Sequence, residues 1–400
     1  MRLGGFIYTV EIVQTGLENL LETPPKWLFD QRIGLLCNPA SVDRKLRHAR
    51  HLINGIFPGQ LVSLFSPQHG FFGEKQDNMS ESPDMIDSVL QIPVFSLYGA
   101  TRKPTREMID PIDTLIIDLQ DAGSRVYTFI YTMSYCLEAA KKFGKKILIL
   151  DRPNPINGIT VEGNCLSTQL TSFVGRYPIP MRHGLTIGEL SLLFNDHYRI
   201  GCDIETIPMK GWKRTMYFPE TGLPWIPPSP NLPTPISAMV YPGQVLLEGT
   251  NISEGRGTTQ PFELFGAPFL ETEKILSTLG GNKMPGITFR QTAFEPTSNK
   301  WKGICCEGFQ IHITDPVQYV PYMTTLRLIQ AVLFHHRDQF EWKPPPYEYE
   351  FHQMPIDLII GDREIRERLE HMDQIDDIAE SWKDDLDLFI ARRQKFSLYS

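Results

Sequence analysis

Three stretches of this 400-residue chain place polar side chains directly after an apolar run. The first is Gln68-His69-Gly70, followed by Glu74. The second runs from Asp118 through Asp121 and Arg125 to Tyr127. The third opens with Asp151-Arg152-Pro153-Asn154 and reaches Glu162. A fourth stretch, 249–260, is glycine-rich and carries Glu254 and Arg256. Two chemistries suit an acid-rich crevice with a histidine. Glycoside hydrolysis needs one protonated and one ionised carboxyl on either side of the scissile bond. Metal-assisted hydrolysis needs Asp and His ligands, for which His69, Asp118, Asp121 and Asp151 are the candidates. Spacing does not choose between them. Each acid also has a plain structural use, since acids after strands cap helices and hold turns. A lone histidine in a tight turn is more often scaffold than ligand.

The clusters need elements to position them. Five runs read as strands: 32–38, 60–65, 93–97, 114–119 and 146–151. They are apolar without alternation, as strands covered on both faces are. Between the last two, residues 129–143 form an amphipathic helix with Phe129, Met133, Cys136, Leu137 and Ala140 on one face, ended by Gly144. Strand, helix, strand is a βαβ unit, so the first half is expected to be a doubly wound, mostly parallel sheet. The carboxyl ends of such strands share one edge, so the polar clusters should converge on one crevice. Thr186-Ile-Gly-Glu189 is a capping box opening a further helix, and 202–209 reads as a strand. Residues 224–235 hold six prolines, which is either a stiff linker or a wall of the site. After residue 260, alternating runs at 286–292 and 308–314 predict antiparallel strands. Residues 317–335 predict a helix, and two charged helices follow the 355–361 run. The expected division is an α/β domain over 1–240 and a smaller α+β domain over 241–400.

A formal net charge of −8 argues against a nucleic-acid partner held through phosphates. No apolar run is long enough to span a bilayer, and residues 1–11 carry no apolar leader. The six cysteines form no CxxC pair and read as free thiols in a reducing, cytoplasmic setting. GxxxxGK[ST], GxGxxG, GxSxG and HExxH are all absent, which removes the main signals for nucleotide, serine-esterase and zincin chemistry. No cofactor is called for.

Several of these stretches together resemble a known family. They are Asn38-Pro-Ala-Ser41, Ser66-Pro-Gln-His-Gly-Phe-Phe-Gly-Glu74, Asp118-Leu-Gln-Asp-Ala-Gly-Ser-Arg-Val-Tyr-Thr128, Leu150-Asp-Arg-Pro-Asn-Pro155, Pro228-Ser-Pro-Asn231 and Glu248-Gly-Thr-Asn-Ile-Ser-Glu-Gly-Arg-Gly-Thr258. In this order they are similar to the motifs of the bacterial exo-β-N-acetylmuramidases, long known only as a domain of unknown function. The resemblance runs from about residue 10 to the end. It implies a Rossmann-like larger domain, a smaller C-terminal domain with the active site in the cleft between them, and release of terminal N-acetylmuramic acid from the non-reducing end of peptidoglycan fragments. The substrate would be a muropeptide or a MurNAc–GlcNAc saccharide. The family's proposed pair is two glutamates, for which Glu74 and Glu162 are the candidates here, with Glu254 in reserve. His69, Asp118 and Asp121 would position the sugar, with Asn154 and Asn231 nearby. Arg125, Arg152 or Arg256 would meet the lactyl carboxylate, and Tyr127 or Trp225 would stack on the ring. Family members often have Glu before the His-Gly of the first motif. This chain has Gln68, which keeps open a sugar-binding protein without turnover.

Overall fold

The protein is described by a computed structural model over residues 12–77 and 79–400. The 1–11 stretch, expected to lack a leader, lies outside the described residues. The strands are β1 (Ile33–Cys37), β2 (Leu61–Ser66), a short β3 (Met85–Ile86), β4 (Pro93–Ser96), β5 (Thr114–Asp118) and β6 (Lys146–Leu150). A small hairpin, β7 (Glu162–Cys165) and β8 (Pro180–Arg182), precedes β9 (Asp203–Ile207). One sheet takes the order β3-β4-β2-β1-β5-β6-β9, parallel throughout except for β3. The chain winds from β1 to one edge, returns, and winds from β5 to the other. That is the doubly wound order. The five sequence-predicted strands all form, and β1 and β5 are buried along their length.

The helix Phe129–Phe143 buries the five expected side chains and ends at Gly144, whose φ is 67°. Ile187–Asp196 is opened by both bonds of the Thr186–Glu189 capping box. In the C-terminal part, β10 (Leu264–Ala267), β11 (Lys283–Met284), β12 (Ile287–Phe294) and β13 (Cys306–Ile313) form an antiparallel sheet in the order β10-β13-β12-β11. The helix expected from residue 317 starts at Pro321, because Asp315 draws the Val317 amide into a turn and proline favours the first helical turn. The 355–361 run is itself a helix, Pro355–Ile360. Three helices follow it rather than two: Arg363–Glu370, Ile375–Glu380 and Lys383–Arg393.

The expected boundary at 240/241 falls inside the helix Pro235–Gln244. One hydrophobic cluster runs from Leu36 in β1 to Phe389 in the last long helix. All six cysteines are free. Four are buried, Cys165 is half-buried and Cys305 is exposed, so the apolar run around Cys305 does not bury it. Among the described residues, no helix is long and apolar enough to cross a membrane.

Arg125 shows how the two parts are tied. Its guanidinium is wholly buried and donates to the carbonyls of Asn164, Ile179, Ile359 and Ile360. The last two belong to the C-terminal helix Pro355–Ile360. Arg125 was expected to meet a substrate carboxylate; instead its two terminal nitrogens bond four backbone oxygens. Arg125→Met leaves those oxygens unpaired in a dry interior. It is expected to destabilise the chain by at least about 3 kcal/mol in denaturant unfolding.

Candidate active site

The chain leaves β2 at Ser66 and turns at once. His69 and Gly70 have φ of 79° and 84°, which reverses the backbone. A Cβ on Gly70 would stand 2.4 Å from the Glu74 carboxylate, so a side chain there would displace Glu74, and the positive φ itself favours glycine. Glu74 itself is exposed, and its carboxylate accepts from the Phe72 amide. It holds its own loop. Gln68 and His69, by contrast, point into a pocket whose other walls include Tyr127 and Thr128 after β5, Ser229, Asn231 and Leu232 in the proline-rich stretch, and Tyr241, Glu248, Arg256, Phe262, Tyr347 and Glu348. The proline-rich stretch is therefore a wall. The pocket holds about 30 Å³, the space of one or two waters, so a sugar ring enters only as its walls part.

Two buried carboxyls in this pocket have opposite surroundings. Glu348 is 4% exposed; it is bonded to the Tyr98 hydroxyl at 2.5 Å and to the Gln68 amide at 3.1 Å. Burial pushes its pKa above the ordinary carboxyl value, and those two hydrogen bonds offset only part of the rise. Glu248 is equally buried. Burial again opposes the charge, but the Arg256 guanidinium at 2.6 Å and the Tyr347 hydroxyl at 2.7 Å outweigh it and hold Glu248 below the ordinary range. Arg256 is itself aligned by Glu254 at 3.2 Å, and Glu254 by Lys300 at 2.7 Å. Paired carboxyls pushed apart in pKa are how one site keeps an acid and a base together.

His69 is neutral. Burial lowers its pKa to about 4, although its Nδ1 bonds the Lys75 carbonyl at 2.8 Å. A carbonyl only accepts, so Nδ1 carries the hydrogen and Nε2 is left as an acceptor. Backbone strain collects here too. Glu348 and Tyr349 both have positive φ, 46° and 66°, in a tight turn closed by paired bonds between Tyr347 and Glu350. Non-glycine residues in that region cost energy and gather at functional sites.

The remaining candidates lie elsewhere. Asp118 and Arg152 form a buried ion pair at 2.5 Å beside a second, smaller cleft with Gln120 and Phe218. Asp121 accepts from the Gly123 amide and lies 3.5 Å from His183. Asn154 bridges the Leu185 carbonyl and the Ile156 amide. Asp151 accepts from Gly188, Thr186 and Tyr399. Trp225 donates to the Leu232 carbonyl and packs edge-on against Phe218. The expected convergence of three strand-end clusters is thus corrected. The second cluster splits, with Asp118 going to Arg152, Thr128 to Gln68 and Tyr127 to the pocket wall. His69, Asp118, Asp121 and Asp151 do not share one site, and no group of three metal-ligating side chains stands together among the described residues.

Glu162 is also redirected. Its carboxylate accepts from the Tyr322 and Met323 amides at 2.6 and 3.2 Å, capping the helix Pro321–His336. It does not line the pocket. The structure brings together His69, Tyr127, Asn231 and Arg256 of the expected residues. It adds Glu248, Glu348, Tyr347, Thr128 and Ser229, which the sequence reading did not select. Glu248 stood first in one quoted motif. Glu348 lies in a Pro-Pro-Pro-Tyr-Glu-Tyr-Glu run, whose only signal is acid alternating with aromatic.

Residues 33–236 match the family model described as Exo-beta-N-acetylmuramidase NamZ, N-terminal, and residues 239–399 match the corresponding C-terminal model. The chain belongs to this family. It is 43% identical to the peptidoglycan beta-N-acetylmuramidase NamZ of Bacillus subtilis (strain 168) over 388 residues, covering 97% of this chain and 91% of that protein. Crystal structures of two DUF1343 family proteins from Bacteroides fragilis NCTC 9343 have the same architecture. One is 36% identical with a TM-score of 0.86, the other 31% identical with 0.76. Each match covers 97% of this chain and 99% of the other.

Burial raises the pKa of Glu162 to about 7, and the nearby Arg182 and the two amides only moderate this. A folded-state pKa above the unfolded one means the native state holds the proton more tightly. That stability is fully present below the unfolded value near 4.5 and is lost as pH rises through about 7. Glu162→Gln is expected to flatten the fall in unfolding free energy between those limits, measured by denaturant titration, while leaving the pocket intact.

Proposed function

We propose that this chain is an exo-β-N-acetylmuramidase, which removes N-acetylmuramic acid from the non-reducing end of peptidoglycan fragments. The pairing of Glu348, whose pKa burial raises, with Glu248, whose pKa Arg256 and Tyr347 lower, is the observation that carries the reading. Glu348 gives its proton to the glycosidic oxygen as the bond to the anomeric carbon breaks. The Tyr98 hydroxyl and Gln68 amide then stabilise the carboxylate left behind. Glu248 offsets the positive charge developing at the anomeric carbon. Water completes the reaction there and yields its proton to a carboxylate.

His69 Nε2 accepts from a sugar hydroxyl, and Arg256 faces the lactyl carboxylate. Of the three arginines named from the sequence, Arg256 is the one that lines the pocket. Its family relative's name, a peptidoglycan β-N-acetylmuramidase, supports the substrate class. Six free cysteines support work in the cytoplasm, on imported wall fragments. Gln68 favours one second reading, in which the pocket binds the sugar without turning it over.

Glu348→Gln and Glu248→Gln are each expected to lower kcat/KM on an aryl β-N-acetylmuramide by about 10³-fold, as loss of a general acid or its partner does. Glu74→Gln should stay within about threefold, since its carboxylate serves its own loop. Full activity in either pocket variant removes the assignment, and wild-type binding without turnover selects the second reading. The alkaline limb of the pH profile should report loss of the Glu348 proton and lie above the ordinary carboxyl range. Gln68→Glu would place a second carboxyl beside Glu348, where like charge raises the pKa further. That limb is expected to move to higher pH; a limb unmoved would sever Gln68 from Glu348.

A further inference from the structure

A second cavity of about 610 Å³ opens beside the pocket. The two share a partition built from the same chain segments. In the proline-rich stretch, Ser229 and Leu232 line the pocket, Pro230 and Pro233 line the groove, and Asn231 borders both. In the glycine-rich stretch, Arg256 and Phe262 line the pocket, while Gly257 and Pro261 line the groove. The partition is stiff. Its prolines have fixed φ, and Asn231 pins it by donating to the Gln76 carbonyl at 2.9 Å. Gly257, with φ of 81°, approaches residue 298 so closely that a Cβ would meet the Ser298 carbonyl at 2.5 Å. The amide and hydroxyl of Thr297 both bond the Gly257 carbonyl.

The chemistry of the groove is that of a neutral sugar site. Proline rings and Phe294 offer flat apolar faces for the C–H side of a pyranose. Thr259, Gln76 and Asn231 offer groups that bond hydroxyls and acetamides. Among the described lining residues the single charge is Glu295. A peptide stem, with carboxylates and amines, finds little countercharge here.

We propose that this groove is the leaving-side subsite, binding the neutral N-acetylated hexosamine attached through the scissile oxygen. The proposal rests on the muramidase reading and adds where the departing sugar lies. The bond to be cut crosses the rim at Asn231, the residue common to both cavities, as the pocket's other walls part to admit the first sugar. Preformed walls lower the ordering cost of binding.

Thr259→Trp, at an exposed position, fills the groove, and Phe294→Ala strips its apolar face. Both are made in the full chain, with thermal unfolding as the check on folding. Each is assayed on the disaccharide MurNAc–GlcNAc and on N-acetylmuramyl fluoride, whose leaving group is too small to reach the groove. Both variants are expected to lose about tenfold in kcat/KM on the disaccharide with the fluoride unchanged. Calorimetric affinity for di-N-acetylchitobiose should fall by a similar factor. Equal losses on both substrates, or none on the disaccharide, overturn the proposal. If the wild type cleaves neither substrate, the muramidase reading fails by itself. The chitobiose titration then decides the groove: binding that Thr259→Trp weakens supports a saccharide site, and no binding or unaltered binding rejects it.

Discussion

The Glu348 carboxyl is bonded to Gln68, 280 positions earlier in the chain, and to Tyr98, 250 positions earlier. A buried carboxyl is tolerated only when its oxygens find partners, so these bonds require the turn at 347–350 to be seated against the end of β2. Thr128 completes the set by donating to Gln68 at 2.7 Å, which orients the amide so that its nitrogen faces Glu348. The site exists only where the parallel-sheet half and the C-terminal half are closed on one another.

The same constraint explains the charged residues beneath the site. Asp118 and Arg152 pair with each other, and the two terminal nitrogens of Arg125 bond four carbonyls, all in the interior. Their positions at strand ends suggest catalysis, yet none of them lines the pocket that holds Glu248 and Glu348. Around the pocket, burial is used differently. Lys300 secures Glu254, Glu254 aligns Arg256, and Arg256 holds Glu248 ionised. Glu348 has no such cation among its hydrogen-bond partners, and burial raises its pKa. Two identical side chains thereby acquire different chemistry from their neighbours alone.

Much of the scaffold was legible before folding. The unalternating apolar runs at β1, β2, β4, β5 and β6, the helix Phe129–Phe143 and the Thr186 capping box are local signals whose physics acts within a few residues. The helix Pro321–His336 was placed with a displaced start, since Asp315 captures the Val317 amide locally. The site was legible only in part. His69, Tyr127, Asn231 and Arg256 were chosen and share the pocket. Glu162 was chosen because it followed β6 in a matching motif, but its carboxylate is bound by amides of a helix that begins 159 residues later.

What the chain determined by itself was the doubly wound sheet, the polar turns that end its strands, the turn that presents His69, and the likeness to exo-β-N-acetylmuramidases. These follow from periodicity, proline and glycine stereochemistry, and motif order, all carried by neighbours in sequence. Which acids face one another was decided by tertiary structure. Glu248 and Glu348 are a hundred positions apart by number, and neither differs from Glu74 or Glu162 as a residue type. Only packing sets how far each is removed from water and which cation or hydroxyl stands beside it, and those two quantities separate an acid from a base.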